Sequence, residues 1–250
     1  MTTALITGAS GGIGLEIARV LAPDHDLVLV ARSAAKLEAL AEELGGARVI
    51  AADLADPAAV AKIAAEVPSI DVLVNNAGVG DFGPFADADP DKTLAMIQLN
   101  VTALTALTRT YLPGMLERGA GKVMNVASTA SFQPGPLMAV YYATKAYVLS
   151  FTEALAEETR GTGVTVTALC PGPTTSGFQA AADMELSPLV ANKKLPTSAE
   201  VAAFGVRAMD RGTAVAIPGA LNKIMASGVR FTPRPIMRRV VHKLQATKPS

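Results

Sequence analysis

Six short apolar runs punctuate the chain: Ala4–Thr7, Asp26–Ala31, Ala47–Ala52, Asp71–Asn76, Gly121–Ala127 and Gly163–Leu169. They are apolar at odd and even positions alike, as in parallel strands covered by helices on both faces. Between them, apolar residues recur every three or four positions. This predicts helices over Gly14–Leu21, Ser33–Leu44, Pro57–Val67, Pro90–Glu117 and Ala139–Arg160. Ser33 and Asp56 stand where N-caps belong, because a short side-chain oxygen there can accept from a first-turn N–H, and Pro57 suits a first helical position. Strand–helix alternation at this spacing builds βαβ units. The expected fold is α/β, a doubly wound sheet in a three-layer αβα sandwich.

After Cys170 the rhythm stops. Residues 171–198 hold four prolines and no strong period, which predicts a long loop. A helix over Ala199–Met209 and a short strand near Ala214–Ile217 follow. In the extension 219–250, Ile236, Met237, Val240, Val241 and Leu244 share one helical face, while Arg238, Arg239, His242 and Lys243 point elsewhere. No repeat or linker divides the sequence, so residues 1–250 are expected to form one domain.

Composition narrows the partners. Half of the 250 residues are hydrophobic and 18% are charged, enough to bury a sizeable core. The formal net charge is zero, which argues against general nucleic-acid binding. Its distribution is uneven: residues 221–250 carry seven basic groups and no acid, and the remainder carries 15 basic against 22 acidic. A basic amphipathic helix can pack on the acidic body of its own or another subunit, or lie weakly on an anionic membrane surface. The single Cys170 cannot form an internal disulfide, no signal-like N-terminus is visible, and no apolar run reaches about 18 residues. A soluble, cytoplasmic protein without a metal site is expected.

The candidate chemistry begins at "LITGASGGIG", a strand-to-helix turn with Gly8, Gly11, Gly12 and Gly14. Such glycines allow a tight turn and let backbone N–H groups approach a pyrophosphate at a helix N-terminus. The same letters, Gly8 to Gly12, also match the G-x-S-x-G elbow of a serine hydrolase with Ser10 as nucleophile. Against that reading, only His25 and His242 exist to complete a triad, and the elbow would have to follow the first strand, which leaves no earlier strand to supply an oxyanion loop. An NAD site commonly places an acid about 20 residues after the glycines. Here Ala31 stands at that place and Arg32 follows, which favours the 2′-phosphate of NADP(H) over NAD by charge and bidentate geometry. Arg32 as a solvated surface charge is the alternative. Asp53 could accept from the adenine amino group or be a plain strand-end residue. Ser10, Ile13, Ser33 and Leu54, beside these groups, complete the expected contacts on this side.

The glycine turn, "NNAG" at Asn75–Gly78, Asn100, Ser128, "YYATK" at Tyr141–Lys145 and "CPGPTT" at Cys170–Thr175 together resemble a short-chain dehydrogenase/reductase of about 250 residues, over residues 2–218. The resemblance implies a Rossmann-type sheet of seven parallel strands, a nicotinamide cofactor and an Asn-Ser-Tyr-Lys catalytic group at Asn100, Ser128, Tyr141 and Lys145. It also implies that Asn75, Asn76, Ala77 and Gly78 line the adenosine side of the cleft. Pro171, Gly172 and Thr174 would hold the nicotinamide end. The loop 171–198 would fold over the substrate, and the assembly would be a homodimer or homotetramer. Gly11 departs from members that carry a basic residue there to grip the 2′-phosphate, which leaves Arg32 with more of that work.

Periodicity alone does not choose between Tyr141 and Tyr142, because i,i+4 and i,i+3 both bring a tyrosine near Lys145. The family pattern Y-x-x-x-K selects Tyr141. A phenol of pKa about 10 needs the Lys145 ammonium and the oxidised cofactor's positive ring to become a usable base. Ser128 would donate to the substrate oxygen, and the resemblance implies that Asn100 holds a water leading from Lys145. Cys170 is expected to be a buried, unreactive thiol. The apolar residues Phe82, Phe85, Phe178, Met184, Leu186, Leu189, Val190 and Leu195 suit either a hydrophobic carbonyl or alcohol substrate, or core and oligomer packing. An alternative of another class is a nicotinamide-sensing protein that binds without turnover. Such a sensor needs only the glycine turn.

Overall fold

The computed structural model describes residues 1–175 and 195–246. Phe178, Met184, Leu186, Leu189, Val190 and Lys248 lie outside them. Seven parallel strands form one sheet: β1 (Thr2–Thr7), β2 (His25–Ala31), β3 (Arg48–Ala51), β4 (Val72–Asn75), β5 (Gly121–Val126), β6 (Val164–Leu169) and β7 (Val215–Ala216). Their order is β3-β2-β1-β4-β5-β6-β7. The winding direction reverses between β1 and β4, and the crevice at the carboxyl ends of those strands is where such sheets bind ligands.

Successive side chains point to opposite faces of a strand, and both faces here are buried. Ile6, Leu29, Val74 and Met124 pack on one side with Ile17, Leu37 and Val206. These belong to α1 (Gly12–Leu21), α2 (Ala34–Glu43) and α7 (Ser198–Asp210). Leu5, Val28, Leu73 and Val123 pack on the other side with Ile63, Leu107 and Leu155, which belong to α3 (Ala59–Glu66), α5 (Leu104–Arg118) and α6 (Ala139–Glu158). The apolar runs of the sequence are continuous because each strand serves two cores.

Helix starts follow local chemistry. Ser33 caps α2 through Lys36 N at 3.5 Å. The carboxylate of Asp89 accepts from Asp91 N and Lys92 N ahead of α4 (Pro90–Ile97). Asp56 corrects the expectation of an N-cap. Its carboxylate accepts from Ala58 N and its carbonyl from Ala59 N, so it closes a separate turn and α3 begins at Ala59, not at Pro57. The helix expected over Pro90–Glu117 is continuous, but Gln98–Ala103 forms a π turn between α4 and α5. Gly119, with φ +63°, ends α5. The extension folds into two helices, α8 (Ala220–Val229) and α9 (Arg234–Gln245). Among the described residues no helix is long and apolar enough to cross a membrane.

Candidate active site

The ends of β1, β4, β5 and β6 converge on one crevice. At β1 the glycines serve two purposes. Gly8 has φ +67°, and a Cβ on it would lie 2.7 Å from Asn76 Nδ2 and 2.9 Å from Ala77 Cα. A Cβ on Gly14 would lie 2.4 Å from Gly8 O. These two glycines let turn, helix and β4 pack together. Gly11 is different, since a Cβ there meets nothing within 4 Å. It is the N-cap of α1 and offers no side-chain acceptor to the first-turn N–H groups. Those donors and the open face at Gly11 fit a bound pyrophosphate.

The NNAG segment divides by burial. Asn76 Nδ2 donates to Thr7 O and Gly8 O, and Asn76 N and Ala77 N both donate to Thr7 Oγ1. Asn76 therefore fixes the turn that would meet the cofactor. Asn75 lies in the interior, its Nδ2 donating to Thr108 Oγ1 at 3.0 Å and Asn125 Oδ1 at 2.9 Å. Its side chain ties β4 to β5 and α5, so only its backbone is left for the cleft. Leu54 likewise belongs to the core with Val28 and Ile50. Arg32 follows β2, exposed and with no side-chain partner among the described residues. Asp53 Oδ1 accepts from Ala55 N.

Asn100, Ser128, Tyr141 and Lys145 come together on the far side of the glycine turn. Asn100, on the π turn, is buried. It accepts from Val79 N at 3.0 Å and donates to Val79 O at 2.9 Å and to Thr144 Oγ1 at 3.1 Å. With both amide hydrogens committed, only acceptor capacity remains for a water. Gly78 lies against this group: a Cβ there would stand 3.2 Å from Asn100 Oδ1 and 3.4 Å from Lys145 Nζ. Lys145 Nζ donates to Val126 O at 2.7 Å and sits 5.9 Å from the centre of the Tyr141 ring. Ser128 caps a short 3-10 turn, Thr129–Phe132, by accepting from Ala130 N, and its hydroxyl also reaches Pro171 O at 3.4 Å. Thr129 N donates to that carbonyl as well, which holds the β6 exit against the β5 exit. Thr174 Oγ1 donates to Gly172 O.

Burial dominates the electrostatics. It lowers the Lys145 ammonium from 10.5 to about 8. It pushes the Tyr141 phenol from 10.0 up to about 12, with a hydrogen bond from Ser128 acting in the opposite direction. Tyr141 so placed is a proton donor at neutral pH, and it becomes a base only as positive charge gathers beside it. Burial also raises the Cys170 thiol to about 12.

Tyr142 has another environment. Its ring meets Tyr141 edge-on at 6.1 Å, and a Cβ on Gly135 would run into it at 2.1 Å. Its hydroxyl is bonded to Gln245 Nε2 at 2.5 Å. Sequence reasoning missed Gln245, which carries no local motif and lies 103 positions away. The serine-hydrolase reading loses His25 as a partner for Ser10. His25 pairs with Thr2 at the opposite end of β1, about 16 Å below the turn at about 3.3 Å per residue, where Nδ1 contacts Leu21 O.

A family model described as short chain dehydrogenase matches residues 2–186. A ketoacyl reductase, HetN, of Nostoc is 37% identical over 179 residues, covering 68% of this chain. The matched chain spans 62% of that relative's length. A short-chain dehydrogenase of Sphingobium yanoikuyae, solved in complex with NADPH, has a TM-score of 0.84 and 32% identity, covering 99% of both chains. A bulky-bulky ketone specific alcohol dehydrogenase of Comamonas testosteroni has a TM-score of 0.79 and 28% identity, covering 100% of this chain and 97% of its own.

Proposed function

The chain belongs to the short-chain dehydrogenase/reductase family, and from that premise we propose that it is an NADP(H)-dependent oxidoreductase that interconverts a hydrophobic ketone or aldehyde with its alcohol. The observation that carries the reading is the meeting of Ser128, Tyr141 and Lys145 across the crevice from the glycine turn. The turn, the α1 N-terminus, Arg32, Ser33 and Asp53 would hold the adenosine end, and Pro171, Gly172 and Thr174 the other. The bound cofactor supplies the hydride acceptor or donor. Tyr141 hands its phenolic proton to the carbonyl oxygen in reduction and takes it back in oxidation. Ser128 donates to the same oxygen as charge develops there. Lys145 places a positive charge beside Tyr141, and Asn100 fixes the Val79 loop against α6 and offers an acceptor to a water behind Lys145.

Arg32, exposed and without a partner among the described residues, supports NADP(H) over NAD, as does the Sphingobium relative solved in complex with NADPH. The Comamonas relative's bulky ketones support an apolar carbonyl substrate. Tyr141→Phe is expected to lower ketone-dependent NADPH oxidation by about 10²–10⁴-fold, with the NADPH Kd almost unchanged. A biological effect that survives this change would make the chain a nicotinamide sensor. Side-by-side titration of NADPH and NADH should show tighter NADPH binding that Arg32→Ala removes; preference for NADH would leave Arg32 a bystander.

The exposed apolar residues Leu221, Ile224, Met225, Ile236, Val240 and Leu244 of α8 and α9 support packing against a second copy, and the basic groups of residues 221–250 suit the acidic body of that copy. Sedimentation should give a dimer or tetramer that deleting residues 231–250 disrupts. Loss of binding to anionic liposomes on that deletion, with the assembly intact, would favour the membrane surface instead.

A further inference from the structure

The α9 helix has two apolar rows with different fates. Ile236, Val240 and Leu244 are 52%, 43% and 43% exposed. The neighbouring row Met237, Val241 and Gln245, also at i, i+4 and i+8, faces the body of the protein. Val241 is buried with Ala130, Met138 and Tyr142, and Met237, Phe82 and Tyr141 pack against that group. Gln245 ends the row fully buried.

The elements that meet α9 are those that carry the reacting groups. Ala130 belongs to the turn capped by Ser128, Tyr141 and Tyr142 to α6, and Phe82 to the loop beyond Gly78. An apolar row laid across these three elements stands where the substituents of a carbonyl held by Ser128 and Tyr141 must go. The Gln245–Tyr142 hydrogen bond is the polar contact in this apolar group. It fixes the position of α9, because sliding the helix by a turn would leave a buried hydroxyl and a buried amide both unpaired. Tyr142 is a firm post for it, with Gly135 pressed against its ring. One amide atom of Gln245, Oε1, has no partner among the described residues, so the bond to Tyr142 is the one that holds this side chain in place.

We propose that α9 is a wall of the substrate site. Met237 and Val241 set the size of the apolar group admitted beside the carbonyl, and the Tyr142–Gln245 bond latches the wall to the catalytic helix. The second tyrosine of "YYATK" is therefore a positioning residue, and the C-terminal helix takes part in substrate selection. The inference rests on the reductase reading with Tyr141 as acid.

The test uses the full chain with NADPH, acetone as a small ketone and acetophenone as a large one. Met237→Trp is expected to raise the ratio of acetophenone KM to acetone KM by about tenfold or more, and Met237→Ala to lower it. The NADPH Kd should stay within about twofold of the parent in both. An unchanged ratio in both variants overturns the wall. A parent chain that binds NADPH yet reduces neither ketone overturns instead the reductase reading beneath it. The latch is read separately on folding, through Tyr142→Phe, Gln245→Leu and the double variant. Each single change should lower the Tm, and the double change should lower it no further than the worse single one, because removing both partners leaves nothing unpaired. Drops that simply add would overturn the latch.

Discussion

At the scale of single residues, the glycine turn makes opposite predictions for positions three apart. Gly11 has an extended backbone, φ 175°, and open space around it, so a side chain there meets neither strain nor a neighbour. Gly11→Lys should fold within about 0.5 kcal/mol of the parent. It should also improve NADPH over NADH by about tenfold, the worth of one charge-assisted hydrogen bond of about 1.5 kcal/mol. Gly14→Ala drives a methyl to 2.4 Å from Gly8 O and 2.3 Å from Asn76 Nδ2. It should cost about 1–3 kcal/mol as overpacking and weaken both nucleotides together. Denaturant unfolding and paired nucleotide titrations check both, and equal behaviour of the two variants would refute the division of labour. The sequence announced these glycines as a set but not their separate reasons, which depend on Asn76, 62 positions beyond Gly14 in the chain. It also grouped Asn75 with Asn76. Strand alternation turns neighbouring side chains to opposite sides, and that sends Asn75 to the Thr108–Asn125 network and Asn76 to the turn.

Among the elements, the strands were legible because a short run apolar at every position suits a strand covered on both faces and little else. The π turn Gln98–Ala103 was not, since one inserted residue shifts the phase of the apolar pattern but leaves its period on either side unchanged. π turns often sit at functional sites, and this one carries Asn100 to Val79 and Thr144. Asn100→Ala would leave the part-buried Val79 N and O without that partner, while the Thr144 hydroxyl would keep its bond to Tyr141 O. The expected cost is about 2–4 kcal/mol, from two unsatisfied groups at about 1–3 each with partial relaxation. Hydrogen exchange at Val79 should quicken together with that loss in urea unfolding. If stability falls while Val79 stays protected, the asparagine acts on α6 alone. The start of α3 eluded the pattern for a similar reason: Asp56 can cap a helix or close its own turn with the same oxygen, and the sequence does not say which.

For the molecule as a whole, the count of seven parallel strands was legible only through the family motifs, and their order β3-β2-β1-β4-β5-β6-β7 came from the structure, because a run apolar on both faces does not say which strands lie beside it. Its acid–base behaviour can now be read from the fold. Lys145 titrates near 8 when folded against 10.5 ordinarily, so between those values the unfolded chain binds more protons and stability rises with pH. Cys170 runs the other way. Its folded value of about 12 against 9.0 means that the folded chain keeps the proton from pH 9 upward, and stability falls. Tyr141 and Tyr111, also at about 12 against 10.0, add to the fall above pH 10. The Lys145 contribution between pH 8 and 9 is about 1 kcal/mol, and Cys170 offsets about a third of it. Urea unfolding should therefore show a shallow rise from pH 8 to 9, a turnover, and a decline above 10. Lys145→Met should abolish the rise, and Cys170→Ala should extend it toward pH 10. A parent curve that already falls from pH 8 would mean that the Lys145 charge is not suppressed by burial. The positive charge proposed to assist Tyr141 would then persist well into the alkaline range, and the rate of alcohol oxidation would keep rising past pH 8.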